Sequence, residues 1–290
     1  ISHMEAPNFL NCLTSYKTAK KICVVHGSLV KDNTKSTFRK FITNKLLVNW
    51  IYNKADKVVG VSKGLVSELI SFGVDPQLCV PINNYFNIEQ IQKLSTADFE
   101  MRGLMQQYPF LINVGRLSPQ KNQKPVLQIY KKTQEKIPAL KLVLVGDGER
   151  RQELVDYGKE LGLKVYNAAA GMTLSEDYDV YFTGAQTNPY TYMTMSRMFL
   201  LTSYFEGFPL VLGEALACGL PVIAVDCSTG PREILADDGS FLPKSLQKTE
   251  WQSCGALMPD IQKENYSDTE LVLWSEIITK IKENLDNNTM

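Results

Sequence analysis

The chain has 290 residues, of which 44% are hydrophobic and 21% charged, an ordinary balance for a globular protein able to bury a core in two domains. Its 31 Lys and Arg equal its 31 Asp and Glu, so overall charge argues against a nucleic-acid partner. No apolar run reaches the ~18 residues of a membrane-spanning helix and no signal-peptide pattern is present, while six cysteines without CxxC spacing argue for a reducing cytoplasm and against structural zinc.

In chain order, residues 21–26 (KICVVH) and 57–61 (KVVGV) are short apolar runs that predict buried parallel strands, the second followed by Ser62 as an N-cap. Between them Phe38, Ile42, Leu46 and Trp50 recur every four residues and predict an amphipathic helix. The stretch from Asn11 to Lys63 holds eleven Lys or Arg against only Asp32 and Asp56. It is either a solvated face or, with Lys35, Arg39, Lys40 and Lys45 beside Phe38, Phe41 and Trp50, a seat on anionic lipid. Only two or three strands are expected before Asn83. The chain is therefore expected to begin partway through a domain.

The pattern then alternates. Residues 110–114, 141–145, 180–182, 198–201 and 221–225 read as strands, with helices near 124–136, 149–161, 189–196 and 209–218. Strand and helix in turn predict a parallel sheet covered on both faces, with ligands at the carboxyl ends of the strands. The loops 115–122, 146–149, 184–189 and 203–209 fall there. Residues 167–179 form an insertion with no interpretable pattern.

Chemistry concentrates in these loops. The segment FEGFPLVLGEALACGLPVI, residues 205–223, sets Glu206 and Glu214 eight positions apart around a helix start, with Pro209 suited to the first helical position. The helix N-terminus, at Phe208, Pro209, Leu210 and Val211, offers backbone N–H groups and a partial positive charge to a diphosphate. Glu214 lies ~7–8 Å along the axis, the distance from a diphosphate to its ribose. Arg116 and Lys121 put a planar fork and a mobile cation on one strand-end loop. In VGDGERR the third glycine of a dinucleotide fingerprint is replaced by Arg151, so a nicotinamide cofactor is rejected.

Five blocks, NVGRLSPQKN, LVLVGDGERRQEL, VYFTGAQTNPYTYM, FLLTSYFEGFPLVLGEALACGLPVIAVD and CSTGPREIL, together resemble the retaining glycosyltransferases of family 4, also called group 1. The resemblance implies an α/β protein of GT-B type with two Rossmann-like domains and parallel sheets. They are placed at residues 1–86 (acceptor side, incomplete) and 87–290 (nucleotide sugar). It implies transfer of a sugar from a nucleoside diphosphate, with UDP favoured, to a hydroxyl of a glycan or lipid-linked acceptor, for lipopolysaccharide, capsule or another surface glycan. No metal and no cofactor are implied, and the enzyme would sit in the cytoplasm or at the inner face of its membrane. Carried over by position, Arg116 and Lys121 neutralise the leaving diphosphate and Glu206 holds the donor sugar. The amides of Phe208 to Val211 cap the phosphate, Glu214 binds ribose, and the loop at Gly184 packs on the base. Residues 24–27 (VVHG) resemble a strand ending in a histidine that reaches the donor sugar, here His26, and residues 2–8 (SHMEAPN) an acceptor-side loop containing His3. A non-catalytic scaffold fragment and a phosphorylase with pyridoxal phosphate remain as alternatives.

Overall fold

The computed structural model describes residues 1–15, 18–29, 45–260 and 263–287. It divides into two compact units, one of Ile1–Tyr85, Phe205–Pro209 and Cys227–Lys244, the other of Phe86–Tyr204, Leu210–Asp226 and Ser245–Met290.

The first unit is built on four parallel strands, β1 (Ser2–His3), β2 (Ile22–Val25), β3 (Lys57–Gly60) and β4 (Cys79–Pro81), paired in that order. Four strands replace the two or three expected, because β1 is only two residues long and leaves no periodicity to read. Its core joins Cys23, Val25 and Val58 from the strands to Phe9, Cys12, Val48, Ile51, Tyr52 and Leu69 from helices Glu5–Leu13, Lys45–Tyr52 and Lys63–Ser71. Ser62 caps the last of these, its Oγ accepting from the Leu65 N–H at 3.0 Å.

The expected amphipathic helix is corrected in its face. Helix Lys45–Tyr52 buries Val48, Ile51 and Tyr52, an i, i+3, i+4 set, whereas Leu46 and Trp50 of the expected stripe are 78% and 55% exposed. The three buried residues join the core of the first unit, Tyr52 against the Phe9 ring. Phe38 and Ile42 lie outside the described residues, as do Lys35, Arg39, Lys40 and Phe41.

The second unit holds β5 (Phe110–Val114), β6 (Lys141–Val145), β7 (Val165–Asn167), β8 (Val180–Gly184), β9 (Met198–Leu201), β10 (Val222–Val225), β11 (Glu250–Gln252) and β12 (Gly255–Met258). Their order is β11-β12-β10-β9-β5-β6-β8-β7, parallel except for β11 at one edge. The central strands read as unbroken apolar runs because helices cover both faces: β6, β9, β10 and β12 are buried at every position. From β5 the chain steps one way to β6, β8 and β7, and from β9 the other way to β10 and β12. The topology therefore reverses between β5 and β9, and in such sheets ligands bind beyond the carboxyl ends of the strands at the reversal.

Helix Asp268–Asp286 begins with a capping box between Ser267 and Glu270, buries Trp274, and packs on helix Lys124–Gln134. The uninterpreted insertion contains a 3-10 turn, Ala168–Ala170, and is tied down at its end by Lys141, whose Nζ donates to the carbonyls of Glu176 at 2.6 Å and Tyr178 at 2.7 Å. Lys141 opens β6, so this anchor lies at the end of the sheet away from the loops that follow β5 and β6.

Candidate functional site

The loop after β5 continues the sheet without being a strand. Gly115 N–H donates to the Val145 carbonyl at 3.0 Å, Leu117 N–H to that of Asp147 at 2.9 Å, and Arg150 N–H to that of Leu117 at 3.1 Å. From the β9 side Tyr204 N–H donates to the Gln120 carbonyl at 2.9 Å and Thr202 Oγ1 to that of Asn122 at 2.8 Å. The buried Gln123 holds the Arg116 carbonyl through Nε2 at 2.8 Å, and Asn122, fully buried, takes the left-handed conformation with φ 49°. The loop carrying Arg116 and Lys121 is thus fixed on both sides, from the carboxyl ends of β6 and β9, the two neighbours of β5 in the sheet.

The glycines of the VGDG turn explain how the loop comes so close. A Cβ on Gly146 would stand 1.9 Å from the Gly115 carbonyl oxygen, and one on Gly148 2.2 Å from that of Leu117. Both glycines allow the backbones of two strand-end loops to touch.

Arg116 is 71% exposed and paired with Glu149, its Nη2 3.0 Å and its Nε 3.2 Å from Oε2. Lys121 ends the 3-10 turn Pro119–Lys121 and lays its aliphatic stem over Gly115. Gly184, at the end of β8, has φ +75° and faces the Arg151 guanidinium, which is paired with Asp147 at 2.7 Å. Ser203 Oγ, in the loop after β9, is buried without a hydrogen-bond partner among the described residues.

The helix after β9 spans Leu210–Ala217. Leu210 is 42% exposed, Val211 half-buried, and Gly213 meets the Phe86 ring so closely that a Cβ would sit 2.3 Å from it. Glu214 is half-buried one turn further on, and Tyr190 Oη donates to its Oε1 at 3.2 Å. Burial raises the carboxyl's pKa above its ordinary value, and the tyrosine's hydrogen bond opposes the shift.

The remaining expected residues lie in the first unit. His26 follows β2, with its Nε2 2.9 Å from His3 Nδ1 and the rings stacked. Burial, and then the charge of His3, lower its pKa. Gly207 lies against the backbone of His26, where a Cβ would stand 1.9 Å from the carbonyl oxygen. Glu206 is 5% exposed and its carbonyl accepts from Thr229 Oγ1; Phe208 is half-buried and Pro209 buried. Nearby in sequence, Glu233 accepts from Lys63 N–H at 3.0 Å, Gly64 N–H at 3.3 Å and Asn83 Nδ2 at 3.0 Å, capping helix Lys63–Ser71 with its carboxylate.

The expected residues thus divide between the units: Arg116, Lys121, Gly184, Leu210, Val211 and Glu214 in the second, His26, Glu206, Phe208 and Pro209 in the first. Sequence reasoning missed Glu149, Tyr190 and Glu233. Each acts on a partner between 24 and 170 positions away, and no local pattern announces such a pair.

Two α/β units with parallel sheets, one reversing its topology beside a cationic loop, define a protein of the GT-B fold class. Solved structures agree: the Anabaena protein HepE in complex with UDP superposes with a TM-score of 0.60 at 21% identity, over 91% of this chain and 63% of that one. The family model described as glycosyl transferases group 1 matches residues 95–250, and the chain belongs to that family. Among curated relatives it is 32% identical over 205 residues to the N-acetylgalactosamine-N,N'-diacetylbacillosaminyl-diphospho-undecaprenol 4-alpha-N-acetylgalactosaminyltransferase of Campylobacter jejuni, covering 70% of this chain and 50% of the relative. It is 30% identical over 189 residues to the lipopolysaccharide 1,6-galactosyltransferase of Escherichia coli, covering 63% and 46%. The chain spans about half the length of the curated relatives it matches. Among the described residues no helix is long and apolar enough to cross a membrane.

Proposed function

We propose that the chain carries the donor-binding chemistry of a family 4 glycosyltransferase. It moves a hexosyl or N-acetylhexosaminyl group from a UDP-sugar, with retention, to a hydroxyl of a glycan or lipid-linked acceptor in surface-glycan synthesis. The observation that carries this reading is the loop of Arg116 and Lys121, which follows β5 beside the reversal of the second sheet and is fixed by backbone bonds from the ends of β6 and β9. Charge grows on the diphosphate as the sugar departs, and cations held in place beforehand lower that barrier without reorganising. Two cations and the N-terminus of helix Leu210–Ala217 supply positive charge without a metal or cofactor.

In the same reading Glu214 binds ribose, the Gly184 loop packs on the base, Phe208 to Val211 cap the phosphate, Glu206 holds the donor sugar and His26 reaches it. The departing phosphate oxygen helps deprotonate the acceptor on the same face. The names of the relatives support surface glycans and a lipid-linked acceptor, and the UDP-bound neighbour supports the base. Leu46 and Trp50, exposed on helix Lys45–Tyr52 beside Lys45 and Lys54, support peripheral contact with anionic lipid at the cytoplasmic face.

Titration calorimetry with UDP, GDP and ADP tests the donor reading. UDP is expected to bind best, and Arg116→Ala or Lys121→Ala to weaken it by about 10- to 100-fold, the range of a hydrogen bond to a charged group. Indifference of the parent to all three nucleotides, or variants that bind UDP as the parent does, would overturn it.

A further inference from the structure

Glu214 sits half-buried on the helix after β9 with one oxygen already engaged. A carboxylate has about four lone-pair sites, so a single donor on Oε1 leaves Oε2 to accept from a diol. The donor is Tyr190, at the start of the short helix Tyr190–Thr194, and that helix is itself held in place. Asn188 Nδ2 donates to the Leu94 carbonyl at 2.8 Å, Thr191 Oγ1 donates to the Asn188 carbonyl at 3.2 Å, and the Tyr190 carbonyl faces Cys218 Sγ at 4.0 Å on the far end of the Glu214 helix. The tyrosine is therefore anchored on both sides while its hydroxyl meets the glutamate. A long flexible carboxylate in this position gains a single orientation before any ligand arrives.

We propose that Tyr190 is a positioning residue for nucleotide recognition: by fixing Oε1 of Glu214 it presents Oε2 to the ribose hydroxyls and sets the preference for a ribonucleotide over its deoxy analogue. The inference rests on the ribose role of Glu214 and adds the residue that makes that role selective. Burial acts in the same direction, since a carboxylate partly withdrawn from water loses more when a ligand hydroxyl is missing.

The test compares UDP, 2′-deoxy-UDP and 3′-deoxy-UDP by titration calorimetry on the parent chain, Tyr190→Phe, Glu214→Gln and the double variant. The parent is expected to favour UDP over at least one deoxy analogue by about tenfold or more. Tyr190→Phe keeps the ring and its packing, yet should shrink that ratio to about threefold or less, with binding of the analogue little changed. Glu214→Gln should abolish the preference, and adding Tyr190→Phe to it should change nothing further, since the two residues act as one unit. A Tyr190→Phe ratio equal to the parent's, even with a lowered melting temperature, would reduce the contact to structural support and overturn the inference alone. A parent that binds UDP without discriminating the deoxy analogues would remove the ribose role of Glu214 and the inference with it. A parent that binds none of the three would defeat the UDP-donor reading on which the inference rests.

Discussion

Replacing Gly146 by Ala tests whether the glycine turn exists to let two loops touch. The new Cβ would lie 1.9 Å from the Gly115 carbonyl oxygen, against the ~3.3 Å of an ordinary carbon–oxygen contact. That carbonyl has nowhere to go. Gly115 N–H is bonded to Val145, Leu117 N–H to Asp147 and Gly146 N–H to Gly184, so relief requires breaking one or two bonds worth ~0.5–1.5 kcal/mol each. Forcing atoms into a filled space adds ~1–3 kcal/mol. Gly146 also has φ +142°, where an L side chain adds strain of ~1 kcal/mol. The sum is ~2.5–7 kcal/mol, a large share of the ~5–15 kcal/mol that holds a domain together. At a urea slope of ~2–3 kcal/mol per molar, the midpoint should fall by ~1–3.5 M. Gly162→Ala is the comparison: its φ is +74° but nothing lies within 4 Å of the added carbon, so only backbone strain of ~1–2 kcal/mol is expected. Circular dichroism in urea reads both. Equal midpoints for the two variants would refute the contact argument and leave backbone conformation as the whole reason for the glycine.

Glu149→Gln should strengthen UDP binding by up to about fivefold, because it removes an anion that competes for Arg116 across a solvent-exposed pair worth ~0–1 kcal/mol. Calorimetry at low salt shows the gain best, and weaker binding would mean that Glu149 orients the guanidinium instead. His26 has its pKa depressed by burial and the neighbouring His3, so the unfolded chain binds its proton more readily. Stability should therefore rise with pH through the unfolded value near 6.5 and fall on acidification through it. Thermal melts from pH 5 to 8 should show a shallower slope in His26→Gln; an unchanged slope would assign the dependence to other groups.

Much of the second unit was legible because its strands are buried on both faces and so read as unbroken apolar runs, each closed by a glycine or polar loop. The edge strands β7 and β11, three residues each, and the helices Ile88–Ser95 and Arg102–Gln107 went unread because they are short; β12, though buried at every position, went unread as well. The helix expected on the recurrence of Phe38, Ile42, Leu46 and Trp50 shows a different buried face over its described part, residues 45–52, where Val48, Ile51 and Tyr52 join the core.

Local order along the chain, namely where strands and helices alternate, where Pro209 opens a helix and where cations sit on strand-end loops, was determined by the sequence alone, because periodicity and backbone preference act over a few residues. Tertiary structure alone decided that Phe205–Pro209 and Cys227–Lys244 return to the first unit, that Glu149 pairs with Arg116, and that Tyr190 meets Glu214. It also gave Glu233 to the cap of a helix 170 positions earlier. These choices depend on which surfaces exclude water together and on which buried polar groups find partners, and neither quantity exists until distant segments are packed.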